Sequence, residues 1–562
     1  MNLRTRSPLF WILAAAAALR LAGLFWGLPA SDGWDDDGFA PRNFLTALAL
    51  TYKPGSYFTY PPLHAFLLAI LTLPGSIAAL LHVSSWTQAG VVGVFIRPST
   101  MTFFAVTARL VSAAMSLGII ACAGQMAQLI AGRRAGLFAA AACALGVTLT
   151  YYGQVTNLDV PYLFWSMLSL ICWMRAVARH EPAQFRRAIL FAAAAIATKD
   201  QAYAIFLLSV PLLLALWFAT DNWPRAHARQ VFLSILLPAL AALFLLLLLD
   251  GAITNPAGFA RRLAFLTGPA SRDYANYAHD KSGRLALLGD AASHFTLGLA
   301  AAALAAFGAA LCLPGLRKKD PAWLAGLLPL LAIFSFTLCF NFVALRSDAR
   351  FLLPQAVLAT VYIGIAADKL AFAPLPWPGR TALAAIALFA LYQCLGVDAA
   401  LLSDPRYDAE RWMAANIRPG DSVETYGQNA YLPRLPQSAI VSRIGPGALA
   451  IRNPLPGVRE LKQPFGAVEN RRPRFIVVSA WWVQRYLALE PVAGGRTPSP
   501  ILQRQYADAD ARGYFAALYG GGLRYRPVHQ STPAGGLLPA IHIHESLDEN
   551  IDIFERVADG PP

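Results

Sequence analysis

The sequence predicts an all-α polytopic membrane protein of about eleven transmembrane helices, with juxtamembrane helices in its first external loop and a C-terminal soluble α/β domain. Three observations predict it. Of the 562 residues, 57% are hydrophobic and only 14% are charged, a balance more apolar than soluble domains show. Apolar runs of spanning length recur from Pro8 to Val397, separated by short basic loops. After Ser403 the apolar runs shorten to strand length and polar residues return. The expected division is therefore residues 1–402 for the membrane part, with a first external loop over about 29–100, and 403–562 for an external α/β domain.

Arg4 and Arg6 precede the first run, Pro8 to Leu28, so the N-terminus is expected in the cytoplasm and the following loop outside. No small-residue cleavage site follows the run, which reads as a retained span rather than a signal peptide. Pro61 to Leu81 is apolar enough to cross, but a crossing there would turn Arg133-Arg134 and every later basic loop outward. It is expected instead to lie along or re-enter the outer leaflet, interrupted at Pro74-Gly75. Spans then follow at Met101–Ile130, Ala135–Tyr152, Val160–Trp173, Ile189–Thr198, Gln201–Phe218, Val231–Leu249, His294–Pro314, Trp323–Phe342, Phe351–Ala367 and Thr381–Val397. Ile189–Thr198 and Gln201–Phe218 are short for two crossings. In the external domain, Tyr407 to Asn416 reads as a helix ending before Pro419-Gly420, and Phe475–Val478 and Ile541–Ile543 read as strands.

The formal charge is +14, but many of the basic residues sit in loops between apolar runs. That pattern encodes orientation and contact with membrane lipids, and it implies no nucleic-acid partner. The six cysteines, Cys122, Cys143, Cys172, Cys312, Cys339 and Cys394, lie in apolar runs without metal-ligand spacing. They read as small core residues, and nothing after Cys394 can form a disulfide. There is no Walker-type phosphate loop, zinc motif or nucleophilic triad, which argues against a nucleotide-driven pump or a hydrolase.

Four groups of ionisable residues gather on the expected outer face: Asp35, Asp36 and Asp37 in GWDDDGFAPR, Asp159 in TNLDVPYLFW, Lys199-Asp200, and Arg346, Asp348 and Arg350 before FLLP. Each alone reads as an interfacial charge. Together their chemistry is complementary. Carboxylates can take the proton of an acceptor hydroxyl or amine, or hold a hard divalent cation, while arginine forks neutralise a phosphate. His64, beside Pro61-Pro62, is placed to reach the same cavity, although a lone histidine in an apolar helix is more often structural. His542 and His544, beside Glu545, read as one face of a surface strand, and Tyr151-Tyr152 and Trp481-Trp482 as interfacial or core aromatics.

The stretches WDDDGFA, TYPPLHAFLL, TARLVSAAMSLGII, TNLDVPYLFW, ATKDQAYAIF and RSDARFLLP occur in the order seen in glycosyltransferases of the C superfamily. They most resemble the branch containing protein O-mannosyltransferases and bacterial lipid A aminoarabinose transferases. SDPRYDAERWMAANIRPGDSV resembles the start of the external domain in many bacterial members.

The resemblance implies inverting transfer of a hexosyl or pentosyl group from a polyprenyl-phosphate sugar to an acceptor, at the periplasmic face of a bacterial inner membrane. The acceptor stays open among lipid, glycan and protein. By position, Asp35 matches the catalytic Asp, and Asp36 takes the place of the Glu that follows it. Asp37 is extra, which leaves the register of the three open. Asp159 matches the second acidic position, associated with the acceptor or with a metal that Asp36 and Asp159 would hold, Mg or Mn. Arg346 and Arg350 match the arginines expected at the lipid phosphate. Where aminoarabinose transferases carry a Lys before the juxtamembrane Pro, this chain has Tyr60, so the phosphate contact would fall to Lys53 or Lys199. The rival readings are a secondary transporter or lipid flippase, expected to carry midplane charges and related halves, and a non-catalytic scaffold for envelope assembly.

Overall fold

The computed structural model describes residues 7–557 other than 36–38, 40–42, 180, 221–224, 273–281, 284–285, 287–288, 290–297, 313–320, 345–348, 446–454, 488–507, 533–535, 540, 542 and 545–546. Arg4, Arg6, Asp36, Asp37, Arg346, Asp348, His542 and Glu545 lie outside the described residues. The protein is a polytopic helical membrane protein with a soluble α/β part. Its contacts divide it into two units. The first comprises Met1–Leu24, Asn43–Leu71 and Ala108–Leu395, and the second Phe25–Arg42, Thr72–Thr107 and Gly396–Pro562.

Among the described residues, seven helices are long and apolar enough to cross a membrane, or eight if the bent pair Leu63–Leu71 and Leu73–Leu80 counts as one span. Two shorter apolar helices, Pro8–Leu21 and Gly298–Cys312, stand where spans were expected. The run Ala135–Tyr152 is interrupted, since helix Arg133–Ala144 stops and Val147–Tyr152 begins beyond Leu145-Gly146. The helix expected from Ile189 begins earlier, at Pro182, where a residue without an N–H costs no helical bond. By the same reasoning the break expected at Pro74-Gly75 falls at Thr72, because Pro74 sits in the first turn of the second helix.

In the first unit, the span containing helix Leu353–Ala371 is 94% buried, whereas Arg229–Leu249 is only 6% buried. The former must find protein partners on every side, while the latter presents its Leu and Phe side chains to lipid. Helix Leu353–Ala371 packs against Arg133–Ala144 and Gly298–Cys312. A Cβ on Gly364 would meet Ala135 O at 2.4 Å, and one on Gly308 would meet Tyr362 O at 2.0 Å. Such close backbone approach supplies the van der Waals contact that holds helices together in lipid, where no hydrophobic force drives them. The Tyr362 hydroxyl donates to Gly326 O at 2.8 Å and accepts from Leu330 N at 3.0 Å. It thereby serves an i, i+4 pair of helix Pro321–Phe336 beside its internal Pro329.

The second unit contains a six-stranded sheet of β1 (Ser422–Tyr426), β2 (Ile440–Ile444), β3 (Val458–Leu461), β4 (Phe475–Ser479), β5 (Tyr525–Gln530) and β6 (Ile551–Arg556). Its order is β3-β2-β1-β4-β6-β5, with the first four strands parallel and β6 antiparallel to both neighbours. Every residue of β4 is buried, as a continuous apolar run in the middle of a doubly covered sheet should be. The strand expected at Ile541–Ile543 is absent at Ile541 and Ile543, and the C-terminal strand lies at β6 instead. There IDIF alternates against β4 in register, Val477 opposite Ile553, so pairing decided what a three-residue apolar run could not.

Helix Pro405–Asn416 matches the expected one. Asp404 caps it, accepting from Arg406 N at 3.0 Å, and its carboxylate also takes Arg406 Nε at 2.8 Å and Trp26 Nε1 at 3.0 Å.

Candidate active site

Helix Asp159–Arg179 starts where Asn157 Oδ1 accepts the Asp159 N–H at 2.6 Å. That cap fixes Asp159 in the first turn, with its side chain wholly withdrawn from solvent. The second contributor is a break in the chain. Helix Pro182–Ile196 ends, Lys199 is extended at φ −153° and ψ 124°, and a short 3₁₀ turn follows at Asp200–Ala202. Lys199 Nζ lies 2.7 Å from Asp159 Oδ1, and Gln201 Nε2 lies 3.1 Å from the same oxygen.

The ammonium is also within reach of three aromatic rings, with centroid distances of 5.9 Å to Tyr60, 5.8 Å to Tyr162 and 5.6 Å to Phe351. Ring quadrupoles stabilise a cation at such distances. Two hydrogen bonds to backbone carbonyls bring the Tyr60 and Phe351 rings in. Leu63 N donates to Ala197 O at 3.0 Å, which ties the Tyr60-Pro61-Pro62 segment to the turn carrying Lys199. Asn341, in a π turn over Thr337–Asn341, donates to Phe351 O at 3.2 Å and accepts from Gln355 Nε2 at 2.7 Å. Arg350 precedes Phe351, is 5% exposed, and has its guanidinium 4.7 Å from that ring. His64 is buried in helix Leu63–Leu71.

Next to Lys199, Asp200 takes Arg262 Nη2 on both oxygens at 2.5 Å. Arg262 also reaches Asp250 Oδ2 at 3.5 Å and donates from Nε to Thr59 O at 3.1 Å. Burial pushes the Asp250 carboxyl up to about 6 against the downward pull of Arg262, with Asp200 adding to the rise. Its Oδ1 is buried without a hydrogen-bond partner. Helix Pro256–Thr267, which carries Arg262, is anchored by Asn255. Asn255 Oδ1 accepts from Gly55 N at 2.9 Å and Gly258 N at 3.1 Å, and Nδ2 lies 2.8 to 3.0 Å from the carbonyls of Thr51, Lys53 and Ser56. Lys53 is thus held by its backbone while its side chain is exposed.

The first unit therefore brings together Tyr60, Asp159, Lys199 and Phe351, with Arg350 beside them in sequence. Asp35 belongs to the second unit, where it is 8% exposed. The segment before it is clamped there, for Trp34 Nε1 donates to Leu432 O at 2.9 Å and Asp32 accepts from Asn429 Nδ2 at 2.8 Å. The Arg406 guanidinium sits over the Trp34 ring at 4.0 Å, and the Tyr407 ring packs tilted against it with centroids 5.0 Å apart.

Sequence reasoning missed Arg262, Asp250 and Asn255. Asp250 ends a long leucine run and Asn255 precedes a proline at a helix start, which is a capping signal, but nothing in the sequence pairs Arg262 with Asp200.

At Asp159, Oδ1 is taken by the Lys199 ammonium and the Gln201 amide, while Asp36, the other residue of the expected cation pair, lies outside the described residues. Among the described residues no three His, Cys, Asp or Glu side chains are grouped as ligands.

No family model matches the chain, and no curated protein does. Solved structures do. ArnT from Cupriavidus metallidurans bound to undecaprenyl phosphate is 16% identical, with 86% of this chain and 95% of that one covered at a TM-score of 0.47. The archaeal oligosaccharyltransferase AglB from Archaeoglobus fulgidus, in complex with an inhibitory peptide and a dolichol-phosphate, is 14% identical, with 94% and 80% covered at 0.46. A further structure of the A. fulgidus oligosaccharyltransferase, complexed with Zn and sulfate, is 15% identical, with 93% and 79% covered at 0.42.

Proposed function

We propose that the protein is an integral-membrane inverting glycosyltransferase that moves a sugar from a polyprenyl-phosphate donor to an acceptor at the periplasmic face of a bacterial inner membrane. The observation that carries this reading is the buried Lys199–Asp159 pair ringed by Tyr60, Tyr162 and Phe351. A membrane helix terminus that retains an ammonium out of solvent has the means to meet an anionic headgroup. The order of the sequence motifs supports the same reading.

In this mechanism the acceptor oxygen or nitrogen attacks the anomeric carbon from the side opposite the phosphate. The bond from that carbon to the phosphate oxygen breaks, its electron pair leaves with the phosphate, and the configuration inverts. Asp35 takes the acceptor proton, with Asp36 beside it in sequence to orient the acceptor. Lys199 and the arginines Arg350 and Arg346 neutralise the charge that grows on the departing phosphate. Asp159 acts as a positioning residue, fixing the ammonium of Lys199. Arg262 positions one step further out, holding Asp200 so that Lys199 keeps its extended backbone. Tyr60 and His64 line the approach of the donor headgroup. No step is routed through a metal.

The test is incubation of the purified protein with radiolabelled polyprenyl-phosphate sugars and membrane extract, followed by identification of the labelled product. Transfer should appear in the wild type and collapse in Asp35→Asn and Lys199→Ala. Labelled sugar carried across vesicles without a new glycosidic bond would overturn the reading in favour of a transporter, absence of transfer in the wild type would leave a scaffold, and transfer unchanged in Asp35→Asn would remove Asp35 as the base.

A further inference from the structure

A groove of about 780 Å³ opens in the second unit along helix Pro405–Asn416, beginning where the apolar helix Pro376–Leu402 ends. It is within the range of small-ligand sites, roughly 300–1,000 Å³. The spacing of the helix creates it. Ala409 and Met413 are buried in the core beneath the sheet, while Tyr407, Asp408, Arg411 and Ala414 recur on the opposite face and line the groove.

The charges lining it are matched. Glu410 receives Arg434 in a fork, Nε at 2.8 Å and Nη2 at 2.5 Å, and also the Arg434 backbone N–H at 2.8 Å. Asp408 takes Arg411 Nη2 at 3.1 Å on one oxygen and His529 Nε2 at 2.9 Å on the other. The Arg434 guanidinium is also fixed by the rings of Tyr407 at 5.5 Å and Trp34 at 5.7 Å. Among these pairs two carboxylates and two guanidinium groups balance, and Asp404, which also lines the groove, is matched by Arg406, so the charges named here leave no net charge to favour an anion. What such a surface offers is dense, prepositioned hydrogen bonding: carboxylate lone pairs beyond those in use, guanidinium edges, the Ser403 hydroxyl and a tyrosine ring. That is the chemistry that recognises neighbouring hydroxyls on a neutral ring.

We propose that this groove binds a neutral oligosaccharide, the glycan portion of the acceptor. Its identity as acceptor rests on the glycosyl-transfer reading, whereas the binding itself does not.

The test uses the full chain in lipid nanodiscs on an array of defined neutral oligosaccharides, acidic oligosaccharides and short peptides. Neutral oligosaccharides should be retained. Ala414→Trp with Thr532→Trp, two exposed positions outside the ion pairs, should weaken retention by about tenfold or more without lowering the melting temperature. Asp408→Asn should also weaken it. Retention of neutral glycans by a protein that transfers no sugar supports the groove and sinks only the transfer reading. Absence of neutral glycan retention, preference for peptides or acidic glycans, or indifference to the paired tryptophans overturns the proposal.

Discussion

Lys199 Nζ and Asp159 Oδ1 lie 2.7 Å apart, although forty residues separate them in sequence and both side chains are nearly or wholly out of solvent. Each comes from an interruption, one at the first turn of a helix and the other at an extended residue between helical segments. Neither charge is tolerable there alone.

That dependence is measurable. Asp159→Asn and Lys199→Met should each destabilise the protein by about 3–5 kcal/mol, because each leaves a buried charge uncompensated. The double variant should recover much of the loss in thermal unfolding while remaining inactive. Simple addition of the two losses would show that the pair is not coupled in the folded protein.

Arg262 holds two carboxylates, so Arg262→Gln should strand Asp200 and Asp250 near each other and cost on the order of 3 kcal/mol. Limited proteolysis of the protein in detergent should then cut faster around helix Pro256–Thr267. Transfer should fall chiefly through loosened placement of Lys199, and Arg262→Lys should restore only part of it, since an ammonium cannot reproduce the fork. Unchanged cleavage in Arg262→Gln would remove the proposed bracing role.

Two glycines should respond with opposite sign. Gly364→Ala puts a methyl 2.4 Å from a backbone carbonyl, whereas the nearest atom to a methyl on Gly326 is Ile130 Cγ2 at 3.4 Å. The first change should therefore destabilise by about 1–3 kcal/mol through overpacking. Gly326→Ala should be neutral or stabilise by up to about 1 kcal/mol through helix propensity. Melting temperatures of the two variants decide it.

Glu549 predicts a pH dependence. Its carboxyl is 2% exposed, accepts from Ser479 Oγ and from Trp481 N at 3.1 Å, and burial raises it to about 7, with those bonds and Arg406 opposing. A group raised in the folded state binds more protons there than in the unfolded chain, so its stabilising effect is present below the unfolded value of 4.5 and lost as pH rises through about 7. Across that window the loss should be on the order of 3 kcal/mol. Glu549→Gln should flatten the pH profile of thermal unfolding between pH 5 and 8, and an identical slope in both proteins would refute it.

The helical membrane part and the α/β part were legible because composition and run length are one-dimensional properties. Helix ends were less so. The proline at 182 lengthened one helix and the proline at 74 moved a break by two residues, both from a first-turn preference that hydropathy ignores. Among site residues, Asp159 and Lys199 could be named from their positions at span ends, but their pairing could not, because it depends on where two helices are interrupted in space. Tyr60 was noted as a departure from a lysine, and the structure sets its ring 5.9 Å from the Lys199 ammonium. Arg262 escaped notice for a different reason, since in sequence it is one of many basic residues in an amphipathic segment.

The span Arg229–Leu249 has a further implication. With only 6% of its apolar window buried, most of its side chains answer to the bilayer rather than to neighbours, apart from the face packed on helix Pro182–Ile196. Shuffling its exposed leucines and phenylalanines, with the buried Val231 and Ala242 kept in place, should leave assembly intact, whereas shortening it should make the protein sensitive to the acyl-chain length of its host membrane. It is accordingly the natural place for a spectroscopic label that reports on lipid without disturbing the chemistry.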